Sequence, residues 1–271
     1  MKEKFVLTEY EIPVPAAVPA LRLALVSDLH EQDPQPVLAL LRRAQPDVIC
    51  VAGDTFERHD YGKEPCRSHG TSRAMRVAHR VSALLSVLLH SRERGKPGNG
   101  YRFLEQAARL APVFLSLGNH EWYLSGRDRS VLRRAGVRLL DNADCIWNGV
   151  RLGGLSTAAD TAWLETYRQK SGFRILLCHH PEYVDCYDLW DFDLILSGHV
   201  HGGQWRIGDR GLLAPDQGLL PRYCHGIYGG KLAVSAGCAN TTLFPRFGNP
   251  CEVVLLHLCP EKPCRRERPG D

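Results

Sequence analysis

No Cys-x-x-Cys pair occurs among the ten cysteines of this chain, and the ten are scattered through 271 residues rather than gathered in a short segment. That pattern excludes a compact extracellular disulfide scaffold and favours reduced thiols, with Cys50 and Cys178 reading as small hydrophobes inside apolar runs. The stretch from Met1 to Glu11 has neither the apolar core of a signal peptide nor a membrane span, because Lys2, Glu3, Lys4, Glu9 and Glu11 interrupt it. A soluble, cytoplasmic protein is expected. Strong charge of one sign is missing too: a net charge of +4 with no concentrated basic stripe argues against nucleic acid as a specific partner. No internal repeat is visible.

What is present is enough apolar residue, 44% of the chain, to bury one sizeable core. Apolar runs predict strands near 21–27, 47–52, 112–117, 151–155, 173–178, 192–197, 232–236 and 251–258, with a helix near 35–44. Alternation of strand and helix reads as an α/β class fold in layers, organised as a single domain over 1–271.

Five short blocks close these runs: Asp28-Leu29-His30, Gly53-Asp54, Gly118-Asn119-His120-Glu121, Cys178-His179-His180-Pro181 and Gly198-His199-Val200-His201. Each block alone is a weak signal. Together they place imidazoles and carboxylates where the loops beyond the strands of an open α/β sheet converge on one crevice. Two divalent cations about 3.5–4 Å apart, sharing one carboxylate, need that mixture of donors. In Asp-x-His and His-x-His the two side chains lie on one face of an extended segment.

On these residues the chain resembles the calcineurin-like metallophosphoesterase superfamily over roughly residues 21–258. Ser27-Asp28-Leu29-His30, Gly198-His199-Val200-His201-Gly202-Gly203-Gln204 and Asn249-Pro250-Cys251-Glu252-Val253-Val254-Leu255-Leu256 are similar to its bacterial branch of membrane- or envelope-associated enzymes. The resemblance implies a layered α/β sandwich of two mixed β-sheets flanked by helices. It implies one metal held by Asp28, His30 and His201, a second held by Asn119, His179 and His199, and Asp54 bridging both. Manganese is the first choice, with iron or zinc as the other cations. The pattern His, any residue, Pro selects His179 as ligand and leaves His180 as its neighbour. His120 is cast as general acid or transition-state stabiliser, oriented by Glu121. Arg58 sits where relatives place a phosphate-gripping arginine, although Glu57 replaces their second aspartate. The other reading is a solvent-facing arginine starting a loop.

Residues 59–110 are the least family-like segment and form a helical insertion or cap. Ala74, Val77, Ala78, Val81, Leu85 and Leu88 recur at helical spacing. The apolar face of that helix either packs on the core or caps the metals and meets an apolar substrate or a membrane surface. Residues 259–271 form a charged tail.

The expected activity is metal-dependent hydrolysis of a phosphate ester, whether phosphodiester, pyrophosphate or phosphomonoester, by a hydroxide bridging two metals. The substrate would be a small or lipid-linked phosphate ester. The reading from another class is a non-catalytic scaffold that binds a phospho-ligand or a protein.

Overall fold

The structure, a computed structural model, describes residues 3–57, 95–96, 98–242 and 245–261. In chain order the elements begin with β1 (Phe5–Val14), β2 (Leu21–Val26), α1 (Gln35–Ala44), β3 (Val48–Ala52) and α2 (Asn99–Ala108). There follow β4 (Val113–Ser116), α3 (Gly126–Arg134), β5 (Val137–Leu139), β6 (Ala143–Trp147), β7 (Val150–Leu155), α4 (Thr161–Arg168), β8 (Phe173–Cys178) and α5 (Tyr183–Cys186). The chain continues through β9 (Leu194–Ser197), β10 (Arg206–Ile207), β11 (Arg210–Gly211), β12 (Leu213–Ala214), β13 (Gly218–Leu219), β14 (Gly226–Tyr228), β15 (Leu232–Val234) and β16 (Cys251–Pro260).

Two mixed six-stranded sheets stack face to face. The first runs β1-β16-β2-β3-β4-β5 and the second β14-β15-β9-β8-β7-β6. Strands β2 to β5 are mutually parallel, as are β7, β8, β9 and β15, so the carboxyl ends within each set share one edge. Parallel strands covered on both faces read as continuous apolar runs, and Val48-Ile49-Cys50-Val51-Ala52 is buried at every position. Between the sheets Leu23, Leu25, Cys50 and Phe114 meet Leu152, Ile175, Leu177 and Leu196. Outside the first sheet α1, α2 and α3 bury Val37, Leu38, Leu41, Phe103, Leu104 and Leu132. Outside the second, α4 and α5 add Leu164, Tyr167 and Val184. The result is the expected sandwich of two mixed sheets between helical layers.

Local chemistry fixes the helix ends. Pro36 occupies the first turn of α1, where a missing N–H is harmless, and left-handed Gln45 closes it with its N–H on the Leu41 carbonyl. Ser125 and Asp128 form a reciprocal capping box at α3, and the Asp160 carboxylate accepts from the amides of Ala162 and Trp163 at α4.

The predicted helix at 35–44 and the strands at 21–27, 47–52, 112–117, 151–155, 173–178, 192–197, 232–236 and 251–258 all have counterparts, shifted by small amounts at their ends. The N-terminal segment, read only for what it lacks, is strand β1, paired in parallel with β16 from Phe5 opposite Cys251 to Val14 opposite Pro260. Of the insertion, Ala74 to Leu88 lies outside the described residues, and its far end contains α2. Among the described residues no helix is long and apolar enough to cross a membrane.

Candidate metal centre

The parallel ladder between β2 and β3 continues past both strand ends and sets the floor of the site. Asp28 N–H bonds the Gly53 carbonyl at 3.1 Å, and His30 N–H bonds that of Asp54 at 2.9 Å. At Asp28, His30, Asp54, His199 and His201 the backbone has turned left-handed, with φ between 47° and 70°. Residues with side chains at Cβ adopt that region at a cost, and such positions concentrate where function needs a special direction. Here the turns aim five donor side chains into one buried volume.

Two groups of donors result. Asp28, His30 and His201 form one, and Asp54, His179 and His199 form the other, with the donor atoms of each group within 4.8 Å of one another. All six residues are buried. They meet at Asp54 Oδ2, which lies 3.1 Å from His179 Nε2 and 3.7 Å from His30 Nε2. Asn119 joins the second group, its Oδ1 3.1 Å from His179 Nε2. The structure thus brings together all seven residues for which the sequence predicts a ligand role.

Neighbours fix how each ring presents itself. His179 donates from Nδ1 to the Ala52 carbonyl at 2.7 Å, which leaves Nε2 as the nitrogen facing Asp54. His30 donates from Nδ1 to Glu57 at 2.6 Å, and its Nε2 is buried without a hydrogen-bond partner, 3.9 Å from Asp28 Oδ1. A sealed ring nitrogen facing two carboxylates fits a cation between them and little else, since an unpartnered buried polar atom is otherwise costly. The donor set is imidazole, carboxylate and one amide oxygen with no thiolate, which suits a first-row divalent metal.

Charge follows from this crowding. Burial alone would raise the Asp54 pKa, but the His179, His120 and His30 rings hold it well below the usual carboxylate range. Burial alone would lower that of His179, yet Asp54 and Asp28 push it up to about 10. His201 goes the other way: burial, then the neighbouring His30 and Arg246, hold it well below its ordinary value, and so neutral. The Arg246 guanidinium stands 3.2 Å from His201 Nδ1.

The structure corrects one role. Glu121 does not carry the His120 ring. Its carboxylate accepts from the backbone amides of Asp54 (2.7 Å), Phe56 (2.9 Å) and Gly118 (2.8 Å), tying the loop after β3 to the loop after β4. The carboxylate on His120 is Glu57, 2.9 Å from Nδ1. Three backbone amides occupy the Glu121 carboxylate, and the His120 ring meets Glu57 instead. Burial depresses the His120 pKa, but the Asp54 charge and the Glu57 hydrogen bond outweigh it and raise it to about 9. His120 Nε2 lies 3.9 Å from Asp54 Oδ2 at the half-buried mouth of the site. Arg58 lies outside the described residues.

Sequence reasoning missed Glu57 as the holder of two rings, Asp216 at 2.9 Å from His199 Nε2, and Arg246 behind His201. Only Glu57 left a signal, as the carboxylate of Gly53-Asp54-Thr55-Phe56-Glu57. Gln204, which closes the motif that begins at Gly198, donates to Thr242 at 2.7 Å and Asn240 at 3.3 Å.

Comparison with known proteins gives the family of the chain. The sequence model of the calcineurin-like phosphoesterase family matches residues 21–203. An uncharacterized metallophosphoesterase of Campylobacter jejuni is 34% identical over 161 residues, 54% of this chain and 42% of that protein. One of Helicobacter pylori is 30% identical over 164 residues, 55% of this chain and 43% of that protein. The matched region thus spans about two fifths of the length of these relatives. Among solved structures, a crystal structure of TT1561 of Thermus thermophilus aligns with TM-score 0.38 and 13% identity over 66% of this chain and 82% of that one. The chain belongs to the calcineurin-like phosphoesterase family.

Proposed function

We propose that this member of the calcineurin-like phosphoesterase family hydrolyses a phosphate ester with two divalent cations. Asp28, His30 and His201 would hold one, Asn119, His179 and His199 the other, and Asp54 both. The observation that carries this reading is Asp54 Oδ2, which faces a ring nitrogen of each donor group while Oδ1 is held by the His120 amide at 2.9 Å. When bound, two such cations supply Lewis-acid charge at phosphorus and lower the pKa of water to make a nucleophile. Manganese is the first choice, with iron and zinc behind it.

The chain's own groups do the rest. Asn119 contributes a neutral oxygen, which limits negative charge in a centre that must admit an anionic phosphate. Glu57 keeps Nδ1 of His120 protonated, so that Nε2 is the atom that gives a proton to the leaving oxygen or steadies its charge. Arg58, directly after Glu57, is proposed to grip phosphate oxygens with its planar fork. The buried floor beneath Asp28, Asp54 and His179 keeps bulk water from that side.

The test is hydrolysis of bis-p-nitrophenyl phosphate and p-nitrophenyl phosphate by metal-stripped protein with manganese restored, beside an Asp54→Asn control. Metal-restored activity that the control lacks supports the reading, and the ratio of the two rates separates diesterase from monoesterase. Full activity in Asp54→Asn would overturn it. Protein that takes up no metal would instead return the chain to a binding scaffold.

A further inference from the structure

Beyond the inner donors, three separate segments bring a second set together. His180 and Glu182 lie in the turn that leads from β8 into α5. His199 follows β9, and Asp216 sits in the turn between β12 and β13 with a left-handed φ of 55°. His180 Nδ1 is 3.1 Å from Glu182 Oε1, and His199 Nε2 is 2.9 Å from Asp216 Oδ2. One donor atom from each of the four residues lies within 4.8 Å of all the others. The two rings pack with centroids 4.2 Å apart.

Hydrogen bonding leaves this set unfinished. Glu182 Oε2 is sealed from solvent and has no hydrogen-bond partner. A carboxylate oxygen with no donor, close to a second carboxylate, is a costly arrangement that a cation relieves. His180 is prepared for one. Its Nε2 faces the Thr157 hydroxyl at 3.2 Å, so a ring that donates there presents the Nδ1 lone pair to the cluster.

We infer that His180, Glu182, Asp216 and Nε2 of His199 form a third divalent-cation site, of the imidazole–carboxylate type that takes zinc, beside the inner centre. His180, Glu182 and Asp216 belong to it alone, whereas His199 is also a member of the inner group and would serve both ions as an imidazolate, its second ring proton leaving to solvent as the outer ion binds. The Asp216 side chain is 40% exposed, so the site opens to solvent on that side. Two histidines and two carboxylates with no thiolate give a borderline-hard site.

Its test is metal stoichiometry of the full chain, stripped with chelator, reloaded with zinc, dialysed and measured by elemental analysis. Wild type is expected to hold three zinc ions per chain and Glu182→Gln/Asp216→Asn two, with circular dichroism confirming that the variant is folded. The single variants are measured in parallel in case the pair unfolds together. Asp54→Asn is expected to lose the inner ions and keep one, which the added outer changes then remove. Equal stoichiometry in wild type and the folded outer variants would overturn the third site, leaving Asp216 as a hydrogen-bond partner of His199. An Asp54→Asn chain that kept all its zinc would instead overturn the dinuclear reading, because the outer site is judged only by the ion lost with Glu182 and Asp216.

Discussion

Glu57 ties His30 to His120: one of its carboxylate oxygens stands 2.6 Å from Nδ1 of the first ring and the other 2.9 Å from Nδ1 of the second. One side chain therefore sets the tautomer of a candidate metal ligand and of the candidate acid. Glu57→Gln keeps the volume but offers one acceptor where two are needed. Loss of a carboxylate behind a ligating histidine typically costs about 10–100-fold in metal affinity, and that loss is expected here together with lower turnover. Manganese titration by calorimetry measures it. Unchanged affinity would mean that His30 holds its direction without Glu57.

His120→Ala should separate binding from chemistry. No donor atom is removed from either inner group, so metal content is expected to stay at the wild-type value while turnover falls by about 10²–10⁴-fold. The sign of the pH effect follows from the raised pKa of this ring. A proton held by Asp54 and Glu57 is present below that value and lost as pH rises through it. Wild type should therefore show an alkaline fall in kcat that His120→Ala lacks. Elemental analysis beside a pH series of diester hydrolysis reads both effects, and a parallel loss of metal would make His120 a ligand.

Much of the centre was legible because each donor follows an apolar run, and parallel strands deliver their carboxyl ends to one edge. Asp28-x-His30 and His199-x-His201 carry their spacing in the sequence itself. What pattern alone does not carry is which distant carboxylate reaches which ring. Glu57 and Glu121 both stand near His120 along the loops, and only the amides of Asp54, Phe56 and Gly118 decide that Glu121 turns inward. Strand β1 was illegible for a similar reason: Glu9, Glu11 and Pro13 make Phe5–Val14 look unlike a core strand, yet it lies at a sheet edge where polar residues and proline are tolerated. Asp216 and Arg246 sit in turns whose position depends on β16 and the short hairpins, not on local pattern.

Gly118 allows the two loops to touch. A Cβ there would sit 2.1 Å from Asp54 Oδ1 and 2.6 Å from the Asp54 backbone nitrogen, so Gly118→Ala must displace Asp54. Overpacking of this kind costs about 1–3 kcal/mol. The expected outcome is a lower midpoint in urea for the metal-free protein and loss of manganese from the centre, seen together by denaturation and elemental analysis. A variant that kept full metal content would show that the loops can part without moving Asp54.

Glu252 provides a stability prediction outside the seven candidate ligands. It is buried, and it accepts from the Ala236 amide at 2.6 Å and the Thr8 hydroxyl at 2.8 Å, with His225 Nε2 at 3.1 Å. Burial would raise its pKa, but the His225 contact first, then the amide and hydroxyl, outweigh it and hold the carboxyl below its ordinary value. A group depressed on folding adds stability that is present above its unfolded pKa and is lost as pH falls through the folded one. Glu252→Gln is therefore expected to be less stable than wild type at about pH 7, by about 1–3 kcal/mol, because it leaves buried donors poorly matched. At about pH 3 the gap should narrow, since below the ordinary carboxyl pKa the unfolded chain takes up the proton and the charge favours the folded state less. Urea unfolding at the two pH values measures the difference. A gap of equal size at both would mean that the shape of the side chain, and not its charge, joins β16 to β1 and to the turn after β15.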